Sequence, residues 1–335
     1  MAAQTREEEQ RKRRRKRLVQ GIVLGSAAIG VPALVNAMVA RRAKKLPAVT
    51  WGSGDRYRWE MGDVVFQRLG EGTALVLLHS FGPGHSGAEW RRAAEVLATE
   101  YRVYAPDLLG WGQSDRMRAG KARAYDSDLY IRLIADFLSD VVAERAVLVA
   151  AGLPAAYAVQ LAAERPELVR GLALVVPIGI ERQRSGPDFK DAVVYRLLRL
   201  PILGTAAIHI YTSRTGITHY LEREVYAAAA AVDDALVDEH YRSSHQSGCQ
   251  AALAAYLSGY LHHGVREVLS RLKLPLWIAW GRRASSPSVE LADLWLHELP
   301  EAELEVFEQC GVLPHAESPE EFSRKLELFL ADLPG

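Results

Sequence analysis

Short, uninterrupted apolar runs that alternate with longer stretches of helical periodicity constrain this chain more than any other feature. Residues 74–78 (ALVLL), 146–150 (AVLVA) and 171–176 (GLALVV) are each too short for a core helix and show no polar alternation, and 101–105, 274–280 and 304–307 also read as strands. Runs of this kind are strands buried on both faces. Between them, residues 89–99, 127–143, 154–165 and 319–330 have helical spacing, and residues 56–66 alternate as an opening hairpin does. Strands and helices taking turns predict an α/β fold with a mostly parallel sheet and helices on both faces. From 186 to 271 the strand signal disappears. Helices are expected at 195–203, 221–231 and 249–262, an insertion placed as a cap would be.

The amino-terminal end predicts a different environment. Residues 18–40 contain no charged side chain, and about 20 apolar residues cross roughly 30 Å of hydrocarbon as a helix. A basic run, 11–17, precedes this segment, and Arg41, Arg42, Lys44 and Lys45 follow it. Alanines near its end lack A-x-A spacing, which favours an uncleaved transmembrane helix over a signal peptide. The more basic leading flank puts the amino terminus in the cytoplasm and the main domain outside it, periplasmic or lumenal. Gly21, Gly25 and Ala28 form a small-residue face, so besides the lipid bilayer the expected partner is a membrane protein or a second copy. The expected division is therefore a basic tail (1–17), a single-pass span (18–40), a linker (41–55), a core in two parts (56–185 and 272–335) and a helical cap (186–271).

Charge and cysteine content narrow the function classes. Lys plus Arg and Asp plus Glu number 41 each in 335 residues, so net charge is zero. The basic run beside an apolar span is accounted for by topology and anionic lipid, and nucleic acid is not expected as a partner. Cys249 and Cys310 cannot build a disulfide framework. His240, His245, His262 and His263 follow no zinc spacing, so neither a metal nor another cofactor is expected.

Four segments carry a family resemblance. His79-Ser80-Phe81-Gly82 follows the first buried strand. Residues 106–115 read PDLLGWGQSD, a D-x-x-G-x-G-x-S pattern. Residues 161–169 (LAAERPELV) and 313–322 (LPHAESPEEF) complete the set, with 212–214 and 245–248 inside the insertion. Together they resemble the α/β-hydrolase fold superfamily across residues 56–330. The resemblance implies a nucleophile elbow at 150–154, with a serine on a strained strand-to-helix turn. Here the elbow reads Ala-Ala-Gly-Leu-Pro, and Gly152 stands at the serine position. Ala284 stands where the acid belongs and Val312 where the histidine belongs, while His315 matches a second, non-catalytic histidine. A serine nucleophile needs a base, and the base an orienting carboxylate. The expectation is a catalytically inactive relative, a membrane-anchored structural or binding subunit of a membrane complex. His79, Ser80, Phe81 and Leu153 would then remain as remnants of a pocket and oxyanion loop. The alternatives are a lyase or isomerase using His79 or Glu181, a hydrolase with a relocated Ser–His pair drawn from Ser80, Ser86, His79 and His85, and a carrier or sensor of a small apolar ligand.

Overall fold

The computed structural model describes residues 29–43, 45–117, 125–181 and 186–334. Eight strands form one sheet: β1 (Asp55–Trp59), β2 (Gly62–Leu69), β3 (Ala74–Leu78), β4 (Arg102–Pro106), β5 (Ala146–Ala151), β6 (Val169–Val175), β7 (Leu276–Gly281) and β8 (Glu303–Phe307). Their order is β1-β2-β4-β3-β5-β6-β7-β8. The β1–β2 hairpin is antiparallel, β2 pairs antiparallel with β4, and all later pairings are parallel. The expected α/β-hydrolase fold, a mostly parallel sheet with helices, is therefore present.

The central strands are apolar along their whole length because helices cover both faces. Every residue of β3, β5 and β7 is buried. Each such Val or Leu contributes about 1.5–3 kcal/mol through removal from water. The helices are α1 (29–43), α2 (Arg91–Leu97), α3 (Ser127–Phe137) and α4 (Leu153–Glu164), then six between β6 and β7: α5 (Phe189–Leu198), α6 (Leu203–Tyr211), α7 (Arg214–Tyr220), α8 (Asp234–Ser244), α9 (Gln250–Leu257) and α10 (Arg266–Leu269). α11 (Ala292–Glu298), α12 (Pro314–Glu317) and α13 (Pro319–Ala331) complete the chain.

The insertion departs from the expected helix boundaries for local reasons. The helix expected at 195–203 is two helices meeting at 92°, α5 and α6, because Pro201 cannot donate into a continuing ladder. The one expected at 221–231 stops at Val225. There Val225 O accepts from Val312 N (2.8 Å) and Ala227 N donates to Glu317 Oε2 (2.8 Å), so contacts with the core override the helix-forming alanines. The one expected at 249–262 ends at Leu257, just before Gly259 turns the chain with a φ of 83°.

Among the described residues no single helix is long and apolar enough to cross a membrane. The span expected at 18–40 is described only from residue 29, and Gly21, Gly25 and Ala28 lie outside the described residues.

Candidate active site

The sheet changes winding direction between β3 and its neighbours β4 and β5, and in open α/β sheets the crevice beyond such strand ends is where ligands sit. The loop after β3 and the turn after β5 meet there. Gly152 occupies the turn with φ 63° and ψ −126°, a conformation that glycine adopts without strain. Pro154 lies in the first turn of α4, where its missing N–H is not needed. The elbow thus has the expected backbone and no side chain.

The space in front of it is filled from the β3 loop. Ser80 Oγ donates to Glu89 Oε2 at 3.0 Å and lies 2.8 Å from His85 Nδ1. His85 Nδ1 is 2.7 Å from Glu89 Oε2. Glu89 Oε1 accepts from Ser80 N at 2.8 Å and lies 3.4 Å from His315 Nε2. On the far side, His85 Nε2 is 3.0 Å from the Tyr220 hydroxyl. Ser80, His85 and His315 are buried, and the Glu89 side chain is 6% exposed. The structure thus brings together a serine, an imidazole and a carboxylate, though not in a linear relay, because the serine and the carboxylate share one imidazole nitrogen.

Electrostatics fix the protonation states. Burial by itself would raise the Glu89 pKa, but the His315 and His85 rings against it outweigh burial and hold it well below the usual carboxylate range. Burial lowers the His315 pKa, so this ring stays neutral, stacked on Trp90 at 3.6 Å. With Glu89 ionised and accepting only, His85 Nδ1 carries the proton. Burial raises the Tyr220 pKa well above its ordinary value, so the phenol keeps its proton and donates to Nε2.

Other loops hold this arrangement in place. His79 donates from Nδ1 to Ser80 O (2.7 Å) and accepts at Nε2 from Leu108 N (3.0 Å), bracing the β3 loop, and burial lowers its pKa. Asp107, which opens the D-x-x-G-x-G-x-S element, accepts from Gly87 N and Gln113 N, both at 2.7 Å. A β-carbon on Gly112, whose φ is 49°, would fall 2.2 Å from Asp107 Cγ, so only glycine fits. Phe81 packs in the core, stacked on Trp111 at 4.7 Å. Leu153 is buried at the start of α4. Ser86 caps the turn before α2, Glu181 is exposed, and His263 contacts Gln160.

The positions of the expected acid and histidine are closed by packing. Ala284 is buried after β7, with its N–H bonded to Gly281 O. Arg282 pairs with Glu308 and Arg283 with Gln309, both facing outward. Val312 bonds to Val225 and packs where core and insertion meet. A cleft of about 140 Å³ opens beside the cluster, lined by His85, Ser86, Glu89, Arg91 and His240. Arg91 spans it to Glu239 on α8 with two contacts of 3.1 Å.

Glu89 and Tyr220 were not singled out from sequence. Ser86-x-x-Glu89 has the spacing of a helix capping box, which explains a first-turn glutamate without chemistry. Its carboxylate instead reaches back to Ser80, and only its position beside the His79-Ser80 loop hinted at that.

Comparison with known proteins bears on activity. A family model described as an alpha/beta hydrolase family matches residues 75–325. The chain is 31% identical over 268 residues to a 2-hydroxy-6-oxononadienedioate/2-hydroxy-6-oxononatrienedioate hydrolase of Burkholderia vietnamiensis, covering 77% of this chain and 86% of that one. It is 28% identical over 271 residues to a pimeloyl-[acyl-carrier protein] methyl ester esterase of Aeromonas salmonicida, covering 80% and 99%. Among solved structures, a meta-cleavage product hydrolase superposes with a TM-score of 0.66 at 23% identity, covering 83% of this chain and 98% of the other. These relatives correct the expectation of an inactive chain drawn from Gly152, Ala284 and Val312. Proteins matched over more than three quarters of its length are named hydrolases and esterases, which points to an enzyme. The residues at the three expected positions do not leave the crevice without polar groups, since a serine hydroxyl, an imidazole and a carboxylate meet there. The comparisons likewise lend no support to a purely structural subunit of a membrane complex. With the family model matched over most of its length, the chain belongs to the alpha/beta hydrolase family.

Proposed function

We propose that this protein is a hydrolase of a small carbonyl compound, most simply a carboxylic ester, whose nucleophile is Ser80 rather than a residue of the elbow. The observation that carries the reading is the buried Ser80 hydroxyl within hydrogen-bond reach of both Glu89 and His85, directly facing Gly152. In this mechanism Ser80 Oγ attacks the carbonyl carbon and its proton passes to Glu89 Oε2. The leaving group departs with that proton, leaving an acyl group on Ser80. Water then attacks the acyl carbon and gives a proton to Glu89; the bond from that carbon to Ser80 Oγ breaks to release the acid, and Glu89 returns the proton to Ser80 Oγ. His85 orients Glu89 through Nδ1–H, and Tyr220 fixes the imidazole from the other side.

Two consequences follow from the physics. A carboxylate held well below its usual range is a weak base, so turnover should be slow compared with a histidine-based relay. The cleft of about 140 Å³ is lined by His85 and Glu89 but not by Ser80, and Glu239 and His240 of the cap form one of its walls, so a substrate reaches the Ser80 hydroxyl by movement of the helical cap, α5 to α10. The reading keeps the lipid bilayer as a partner. It is supported by the charge-free run 18–40 and its basic flanks, with the amino terminus cytoplasmic and the main domain beyond the membrane.

The test is hydrolysis of short-chain p-nitrophenyl esters by the full-length protein in detergent. Ser80→Ala should fall to background, whereas Ser86→Ala should retain activity. Equal rates for wild type and Ser80→Ala would remove Ser80 from the chemistry.

A further inference from the structure

Twelve of the thirteen exposed large apolar side chains among the described residues lie on just two neighbouring parts of the chain. Five are on α1: Ile29, Val31, Leu34, Val35 and Met38. Seven lie between 189 and 210, from Phe189 (82% exposed) on α5 to Ile210 (73%) on α6. The two parts are joined, since Asn36 Nδ2 on α1 donates to Ile202 O at the α5–α6 corner at 2.9 Å. Soluble surfaces rarely gather apolar side chains in this way.

We propose that this face of the cap rests in the headgroup and acyl boundary of a lipid bilayer, so that the protein touches the membrane through α5 and α6 as well as through its amino-terminal segment. Three observations select lipid over a second copy or a protein partner. The chain that enters α1 is the end of the uncharged run 18–40, so α1 itself leads to a hydrophobic phase. Exposed Arg41 and Arg42 end α1, and exposed Lys190, Arg196 and Arg199 lie on or just after α5, where cations meet lipid phosphates. Finally, α5 and α6, of 10 and 9 residues, are each too short to cross a bilayer alone, and their 92° bend suits two helices lying along the surface.

The proposal is independent of the chemistry at Ser80 and is tested without measuring turnover. The full-length protein, with Cys249 and Cys310 replaced by serine, would carry one environment-sensitive fluorophore on a new cysteine: Leu197→Cys, Ile210→Cys or, as reference, Leu328→Cys on α13. Among the described residues, Leu328 is the one exposed large apolar residue outside the patch. Each variant is placed singly in nanodiscs of phosphatidylcholine with a minor fraction of phosphatidylglycerol, with and without doxyl-labelled lipid. Quenching at 197 and 210 about twofold or more above that at 328 is expected for side chains at the acyl boundary. Quenching no greater than at 328 would overturn the proposal. A blue-shifted emission without doxyl quenching would also overturn it, by assigning the face to protein.

Discussion

Ser80 stands in the space that Gly152 leaves open: a β-carbon built on Gly152 would lie 3.5 Å from that of Ser80. The elbow has not simply lost its nucleophile. A hydroxyl from the neighbouring strand's loop occupies the ground in front of it, with a carboxylate and an imidazole already attached.

Restoring the elbow serine should therefore do harm. Gly152 has a φ of 63°, and a side chain there adds strain of about 1–3 kcal/mol. Gly152→Ser should lower the urea midpoint by a corresponding amount and should not raise ester hydrolysis. A more active variant would place the chemistry back at the elbow.

Glu89 should be required for turnover and should shape acid stability. Its pKa in the folded protein is held below the ordinary 4.5. A group of this kind adds stability above its unfolded pKa and loses it as pH falls through the folded value. Glu89→Gln should abolish hydrolysis and flatten the loss of stability below about pH 4.5 in acid denaturation profiles. An unchanged acid limb would show that Glu89 is not held as a buried anion.

His240 predicts a second pH window. Burial first, and then the neighbouring His85, lower its pKa from 6.5 to about 4. Its neutral form is favoured on folding, so its contribution is complete above pH 6.5 and is lost as pH falls toward 4. His240→Asn should reduce the fall in unfolding free energy across that window by up to about 3 kcal/mol. An unaltered slope would contradict a neutral buried imidazole at this position.

Asp107 tests the scaffold beneath the site. Removing its carboxylate leaves the Gly87 and Gln113 N–H groups without their acceptor, and each orphaned buried group costs about 1–3 kcal/mol. Asp107→Ala should lower stability and activity together. Full activity with lowered stability would separate the motif from the positioning of Ser80.

Most of the sheet was legible because its central strands are buried on both faces, so β3, β5, β6 and β7 stand out as apolar runs. The winding after residue 186 was less so. Pro201 splits one expected helix, and the contacts of Val225 and Ala227 with Val312 and Glu317 end another, a long-range effect that local pattern does not carry. The site divided in the same way. Gly152, Ala284 and Val312 were readable by position, and they misled because the elements around Ser80 come from separate places. Ser80 and His85 are five residues apart, Glu89 carries the spacing of a helix cap, and Tyr220 arrives from the insertion 135 residues beyond His85. Only the fold shows that they touch.

The most direct measurement is the site of covalent labelling by a fluorophosphonate probe, located by fragmentation mass spectrometry on the full-length protein. The account predicts an adduct on Ser80 Oγ, absent in Ser80→Ala and strongly reduced in Glu89→Gln. An adduct on another residue, labelling that persists in Ser80→Ala, or ester hydrolysis by a wild-type protein that takes no label would contradict it.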